Sequence, residues 1–121
     1  NKTILTHSIS LINIKSIEDF KNKTKQEIET QRIRGNLYVD GVDAWEERNW
    51  IGNIIKINNI SFKVEKNIPR CVAINLKPNT DDNSLNLLQS LKKNYNHFNM
   101  GIYLTALDDG QLNIGDNVYV K

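Results

Sequence analysis

Arg32-Ile33-Arg34-Gly35-Asn36-Leu37-Tyr38-Val39-Asp40-Gly41-Val42-Asp43-Ala44-Trp45-Glu46-Glu47-Arg48-Asn49-Trp50 is the stretch on which the reading of this chain turns. Leu37 to Val39 reads as a short apolar strand, and Asp40-Gly41 stops it with a turn dipeptide. Arg32 and Arg34 stand just before that strand, where side chains and free backbone N–H groups can reach a bound anion. Ala44 to Trp50 has room for about one helical turn, with Trp45 and Trp50 as packing anchors. Trp50 leads into Ile51-Gly52 and the next strand, so it is expected to be the better buried of the two. Arginine, tryptophan and glycine at this density point to a positioned site, but composition does not say which one.

Outward from that stretch, the chain reads as many short strands with two or three helices. Ile9 to Ile12 suits a strand, and Ser16 with Asp19 three residues on forms a capping-box signal for a helix. Lys21 to Lys25 reads as a solvated helix end, and Thr24 with Glu27 as the cap of a further short turn. Ile54–Ile57 and Ile60–Val64 are strand-like runs joined by Asn58-Asn59, a hairpin signal. Pro69 breaks the pattern, and Arg70 to Ile74 reads as a buried strand. Pro78 to Asn83 is a polar loop. Leu85, Leu87, Leu88 and Leu91 have helical spacing, which predicts a helix from Ser84, its N-cap, to about Asn94. Gly101 to Leu107, Leu112 to Ile114 and Val118 to Val120 close the chain as strands, with turns at Asp109-Gly110 and Gly115-Asp116. No period repeats and no linker divides the 121 residues, so the expectation is one mainly-β domain.

A formal charge of +2, with acids and bases interspersed, argues for no nucleic-acid partner. No apolar run approaches the roughly 20 residues of a membrane helix, and the first residues lack a signal-peptide pattern. One cysteine rules out an internal disulfide framework and suits a reducing, cytoplasmic compartment. Zinc ligation lacks its spacing, because Cys71, His7 and His97 are scattered. No P-loop, GxGxxG or GxSxG is present, which argues against nucleotide binding and serine hydrolysis. Asp40 and Asp43 flank Gly41 without the later ligands of a calcium loop. Glu46 and Glu47 point in different directions on a short turn and read as a cap and a surface acid. His97 reads as a helix-end cation complementing the dipole. Cys71 carries two readings: a small inert hydrophobe in a strand, or an accessible thiolate favoured by Arg70 and exposed by the Pro69 break.

Taken in order, Arg34-Gly35-Asn36, Val39-Asp40-Gly41, the acidic turn ending at Trp50-Ile51-Gly52, and Arg70-Cys71 form a recognisable set. Asn75-x-x-Pro78-x-Thr80, a helix ending in Tyr95 and His97, Gly101-x-Tyr103 and Gly115-Asp116-x-Val118 continue it. The ordered set resembles the MOSC domain family, named for the C-terminal part of molybdenum cofactor sulfurase. One position departs from the pattern: Asp81 and Asp82 follow Asn79-Thr80 where the family carries glycine. The resemblance implies a mainly-β, MOSC-type β-barrel, with residues 1–121 its C-terminal portion and an N-terminal part lying upstream.

The resemblance also implies molybdopterin-bound molybdenum, with Cys71 as metal ligand and catalytic residue. Arg34 and Asn36 would hold the cofactor's phosphate end, with Arg32, Arg70 and Trp50 supporting the site. The implied activity is an oxidoreductase reducing N-hydroxylated substrates. No CxxxxCxxC spacing exists here, so electrons are expected from a ferredoxin- or flavin-type donor, supplied separately or by a missing domain. The alternatives are a sulfur- or cofactor-carrier module without turnover, and a barrel that serves only assembly.

Overall fold

A computed structural model describes residues 2–4, 8–57, 59–80, 85–108, 111–113 and 117–118. His7, Asn58, Ser84 and the turns at Asp109-Gly110 and Gly115-Asp116 lie outside the described residues. A mixed six-stranded sheet, curled into a half-barrel, has the order β4-β5-β6-β2-β3-β8. Its strands are β2 (Ser8–Asn13), β3 (Leu37–Val39), β4 (Ile54–Ile57), β5 (Ile60–Pro69), β6 (Asn99–Ala106) and β8 (Asn117–Val118). β1 (Lys2–Ile4) and β7 (Gln111–Asn113) form a separate antiparallel pair. β2–β3 and β3–β8 run parallel, and the remaining pairs of the large sheet are antiparallel.

Two apolar clusters hold the sheet. Ile9, Leu11, Leu37, Phe62, Val64 and Leu104 belong to the first. The second joins Ile12 and Ile68 of the sheet to α1 (Ile14–Thr24) and α2 (Leu87–Tyr95) through Phe20, Leu87 and Leu91. Strand residues alternate between faces, so residues an even number apart in one strand reach different clusters only where its phase changes. β5 changes phase at register shifts between Val64 and Lys66 and between Asn67 and Pro69. Opposite the second shift, Gly101 has φ +89°, and a Cβ there would lie 2.5 Å from Ile12 Cδ1. Gly35 is crowded by the same side chain, since its Cβ would meet Ile12 Cγ1 at 2.4 Å. Ile12 therefore fixes both the bulged strand and the backbone next to Arg34.

Several local expectations are corrected. α1 is capped by Asn13, whose side chain accepts from Lys15 N at 3.0 Å. Ser16 and Asp19 do not form a capping box, because both reach across to the turn at 45–47. Ser16 Oγ accepts from Trp45 N at 2.8 Å, and Asp19 Oδ2 accepts from Trp45 Nε1 at 2.9 Å. Thr24 is the last residue of α1 and donates back to Phe20 O. α2 starts at Leu87 with Asn86 as its cap. The expected Arg70–Ile74 strand is absent: β5 ends at Pro69 and a 3-10 turn spans Val72–Asn75. Trp45 and Trp50 are both half-buried, one packed on each cluster.

The largest correction concerns Glu47, which is wholly buried rather than a surface acid. Its carboxylate accepts from Asn13 Nδ2 at 2.9 Å and from Ser16 Oγ. The 3-10 turn Glu46–Trp50 is thereby tied to the start of α1, and Trp45 is held at φ +65°, a costly conformation for a tryptophan. Burial raises the Glu47 pKa above 4.5, against hydrogen bonds from Asn13 and Ser16 that lower it.

A raised carboxyl pKa favours the protonated form in the folded state. This stability is fully present below the unfolded value of 4.5 and is lost as pH rises through the folded value. Glu47→Gln keeps an oxygen for Asn13 and removes the titration. Denaturant midpoints measured from mildly acid to alkaline pH should therefore fall less with rising pH in Glu47→Gln than in wild type. Parallel curves for the two proteins would contradict this assignment.

Candidate cofactor site

Cys71 stands at the head of the 3-10 turn Val72–Asn75, and its residue is exposed. Arg70 N donates to Phe98 O at 2.8 Å and Arg70 Nε to Met100 O at 3.0 Å, anchoring the segment to β6 and its approach. Beyond Cys71 the chain folds over, with Ile74 N donating to Cys71 O at 3.2 Å and Leu76 N to Ala73 O at 3.2 Å. Ile74 alone of the turn enters the core, while Val72 lies 69% exposed. Val and Ile look like strand formers in the sequence. The turn uses one of them as an anchor and leaves the other in solvent.

Arg32 holds the turn from beneath. It is 5% exposed, and its Nη1 donates to Asn75 O at 2.8 Å and to Ile74 O at 3.4 Å. Its Nε donates to Glu29, whose carboxyl is held below its ordinary pKa chiefly by that hydrogen bond. Asn75 Oδ1 in turn accepts from Leu88 N at 3.0 Å, fastening the turn to α2. The Nε and Nη1 of Arg32 are thus engaged with protein.

Arg34 differs. It is exposed and makes no hydrogen bond or ion pair among the described residues. It lines a cleft of about 230 Å³ with Arg32, Ala73, Lys77 and Asn79. Asn36 positions this strand entry: its Oδ1 accepts from Ser10 N at 3.0 Å and Ser10 Oγ at 3.1 Å, and its N–H donates to Ser10. Arg70 carries a buried Nη2 with no hydrogen-bond partner among the described residues. Burial lowers the Arg70 pKa, and the nearby Tyr103, Tyr38 and Cys71 act in the other direction. A buried, unmatched guanidinium N–H favours an acceptor beside it.

The structure brings Arg32 and Arg34 to one cleft with Ala73 of the turn, and Arg70 and Cys71 immediately precede that turn. Trp50 is not part of it, being packed against the first cluster, whereas Ile74 under the turn belongs to the second. Lys77, facing the cleft with Arg34, was not singled out from sequence, and nor was Glu29. The Glu29–Arg32 spacing of three residues was the available signal for the pair. Among the described residues no cluster of His, Cys, Asp or Glu is arranged to hold a metal ion by itself. His97 is not a helix-end cation. Its Nδ1 accepts from Asn99 N, its ring stacks on Tyr95, and burial with Arg48 and Lys92 nearby lowers its pKa.

The family model described as MOSC domain matches residues 5–119. The chain belongs to the MOSC domain family. It is 28% identical to mitochondrial amidoxime reducing component 2 of Rattus norvegicus over 92% of this chain and 36% of the relative. Against the Homo sapiens protein of the same name it is 25% identical, over 86% and 34%. Against molybdenum cofactor sulfurase of Bombyx mori it is 30% identical over 76% of this chain and 11% of the relative. The chain thus spans about a third or less of the length of these curated relatives. The curled mixed sheet with helices on one side is consistent with a MOSC-type barrel. No helix among the described residues is long and apolar enough to cross a membrane.

The hold of Arg32 on this MOSC turn can be measured. Arg32→Ala leaves the Ile74 and Asn75 carbonyls without their charged donor, a loss of about 1.5–3 kcal/mol per hydrogen bond of this kind. Glu29→Gln, at a solvent-screened partner, should cost much less. Amide exchange at Ile74 and Leu76 should accelerate in Arg32→Ala well beyond any change at Leu104 in β6. Equal acceleration at all three amides would mean that Arg32 supports the fold at large and not this turn.

Proposed function

We propose that this MOSC domain binds the molybdenum cofactor through Cys71 and reduces N-hydroxylated substrates. The observation that carries the reading is an exposed thiol at the head of an anchored turn whose Ala73 lines a cleft with an uncommitted arginine and a lysine. The residues fit the cofactor's chemistry. A thiolate suits a soft metal centre, and Arg34 and Lys77 offer a planar fork and a point charge to a phosphate. The unmatched Nη2 of Arg70 offers one further donor close to Cys71. The cofactor, when bound, supplies the two-electron redox change that removal of oxygen from nitrogen requires.

The protein's part is placement. Arg32 and Glu29 fix the turn, so that Cys71 presents its sulfur without first being ordered. Asn36, through Ser10, sets the strand entry from which Arg34 reaches the cleft. Electrons come from a ferredoxin- or flavin-type donor, supplied separately or by a domain outside these residues. A second reading, a carrier that lodges the cofactor or passes sulfur without turnover, draws support from the similarity to molybdenum cofactor sulfurase.

Two measurements separate these readings. Cofactor-loaded protein supplied with reduced methyl viologen should convert benzamidoxime to benzamidine. Cys71→Ala should lose that activity while its thermal midpoint stays close to wild type, because the residue is exposed. Retained cofactor without turnover in the wild type would favour the carrier. Arg34→Ala should retain less pterin than wild type, and Arg34→Lys should not restore it fully, because the fork is lost. Equal pterin content in all three proteins would sink the phosphate assignment.

A further inference from the structure

Gln26, just past the C-terminal end of α1, faces a cleft that runs along α2 from Leu85 to Lys93. Lys21 and Lys25 line one cleft, Lys92 and Lys93 line another, and Gln26 lines both. Among the described residues Glu27 is the only acid on either wall. Lys21, Lys25 and Lys93 make no ion pair among the described residues, whereas Lys23 is 3.8 Å from Asp19. The helix dipole accounts for a cation at each helix end. It does not account for two lysine pairs on adjoining clefts with so little acid between them among the described residues.

An aromatic group lies at the edge of this face. Phe98 is 42% exposed, and Lys92 Nζ lies 5.7 Å from the centre of its ring. An exposed aromatic beside charged groups has the composition of an interface core and its rim. The same residue leads directly to the candidate site, since Phe98 O accepts from Arg70 N, next to Cys71. α2 provides a second connection. Leu88 N is bonded to Asn75 of the turn, and about 8 Å of helix rise separates Leu88 from Lys93.

We propose that this lysine-rich face, with Phe98 at its edge, is the docking surface for a small acidic one-electron donor protein. The proposal rests on the reductase reading and names the partner that reading requires. The chemistry balances: R–NHOH takes two electrons and two protons, the N–O bond breaks, and R–NH2 and water leave. Two reduced donors each lose one electron in turn, and solvent supplies the protons. Opposite charge on the donor speeds encounter and sets its orientation, an effect that weakens with ionic strength.

The test uses cofactor-loaded protein, with a reduced [2Fe–2S] ferredoxin as acidic donor and reduced methyl viologen as small donor. Lys92→Glu/Lys93→Glu should raise the KM for ferredoxin on the order of tenfold at low salt and leave turnover with viologen unchanged. Lys21→Glu/Lys25→Glu should act in the same direction. Lys56→Glu, on exposed β4, is the control and should leave both values alone. In the wild type, added salt should raise the ferredoxin KM. An unchanged KM in both double variants overturns the proposal. So does loss of binding to anionic vesicles or RNA in those variants while the ferredoxin KM stays constant. Absence of viologen-driven turnover in the wild type contradicts the reductase reading itself, and with it the need for a donor.

Discussion

The site region depends on one buried guanidinium. Arg32 is almost without solvent contact, and a bare cation there would be expensive. Its cost is offset by Glu29 on one side and by the carbonyls of Ile74 and Asn75 on the other. Those carbonyls belong to a 3-10 turn too short to be stable alone. The arginine therefore converts a weak local structure into a fixed one, and Cys71 sits at its head. Because Asn75 also caps toward α2, the turn is fastened to a helix as well as to the segment before β3.

The sheet supplies the other half of the arrangement. Ile12 occupies the space that any side chain at Gly35 or Gly101 would need, so β2, the approach to β3 and the bulged part of β6 are mutually fixed. The register shifts in β5 and the positive φ of Gly101 let the sheet change phase near its Pro69 end. Ile68 and Met100 thereby face the helices and not the first cluster. That change of phase brings the end of β5, with Arg70 and Cys71 just beyond it, over the helical side. On that side also lie Asp19, Trp45 and Tyr95, where hydrogen bonds from Trp45 and Tyr95 and the charge of Lys23 lower the Asp19 pKa against the effect of burial.

The strands were the legible part of the sequence, because alternation and turn dipeptides are local signals. Leu37–Val39 and the β4–β5 hairpin needed nothing beyond their own residues and neighbours. Cys71 was misplaced for a physical reason: Val72 and Ile74 have strand character, and only tertiary pairing decides that the chain turns there. Arg32 was read as an anion-binding group because its acceptors lie 42 and 43 residues away and are backbone atoms, which no side-chain pattern reveals. Glu47 was read as a surface acid for a similar reason, since its donors, Asn13 and Ser16, belong to a different element. The ordered motifs pointed to the MOSC family, and the match over residues 5–119 bears that out.

The central claim is that Cys71, held by the Arg32-anchored turn, ligates molybdenum through its sulfur. X-ray absorption at the molybdenum edge of cofactor-loaded protein measures the sulfur neighbours of the metal directly. The account predicts one sulfur fewer in Cys71→Ala than in the wild type, at comparable metal content. An identical sulfur shell in the two proteins would place the metal elsewhere and return Cys71 to the role of an exposed, uninvolved thiol.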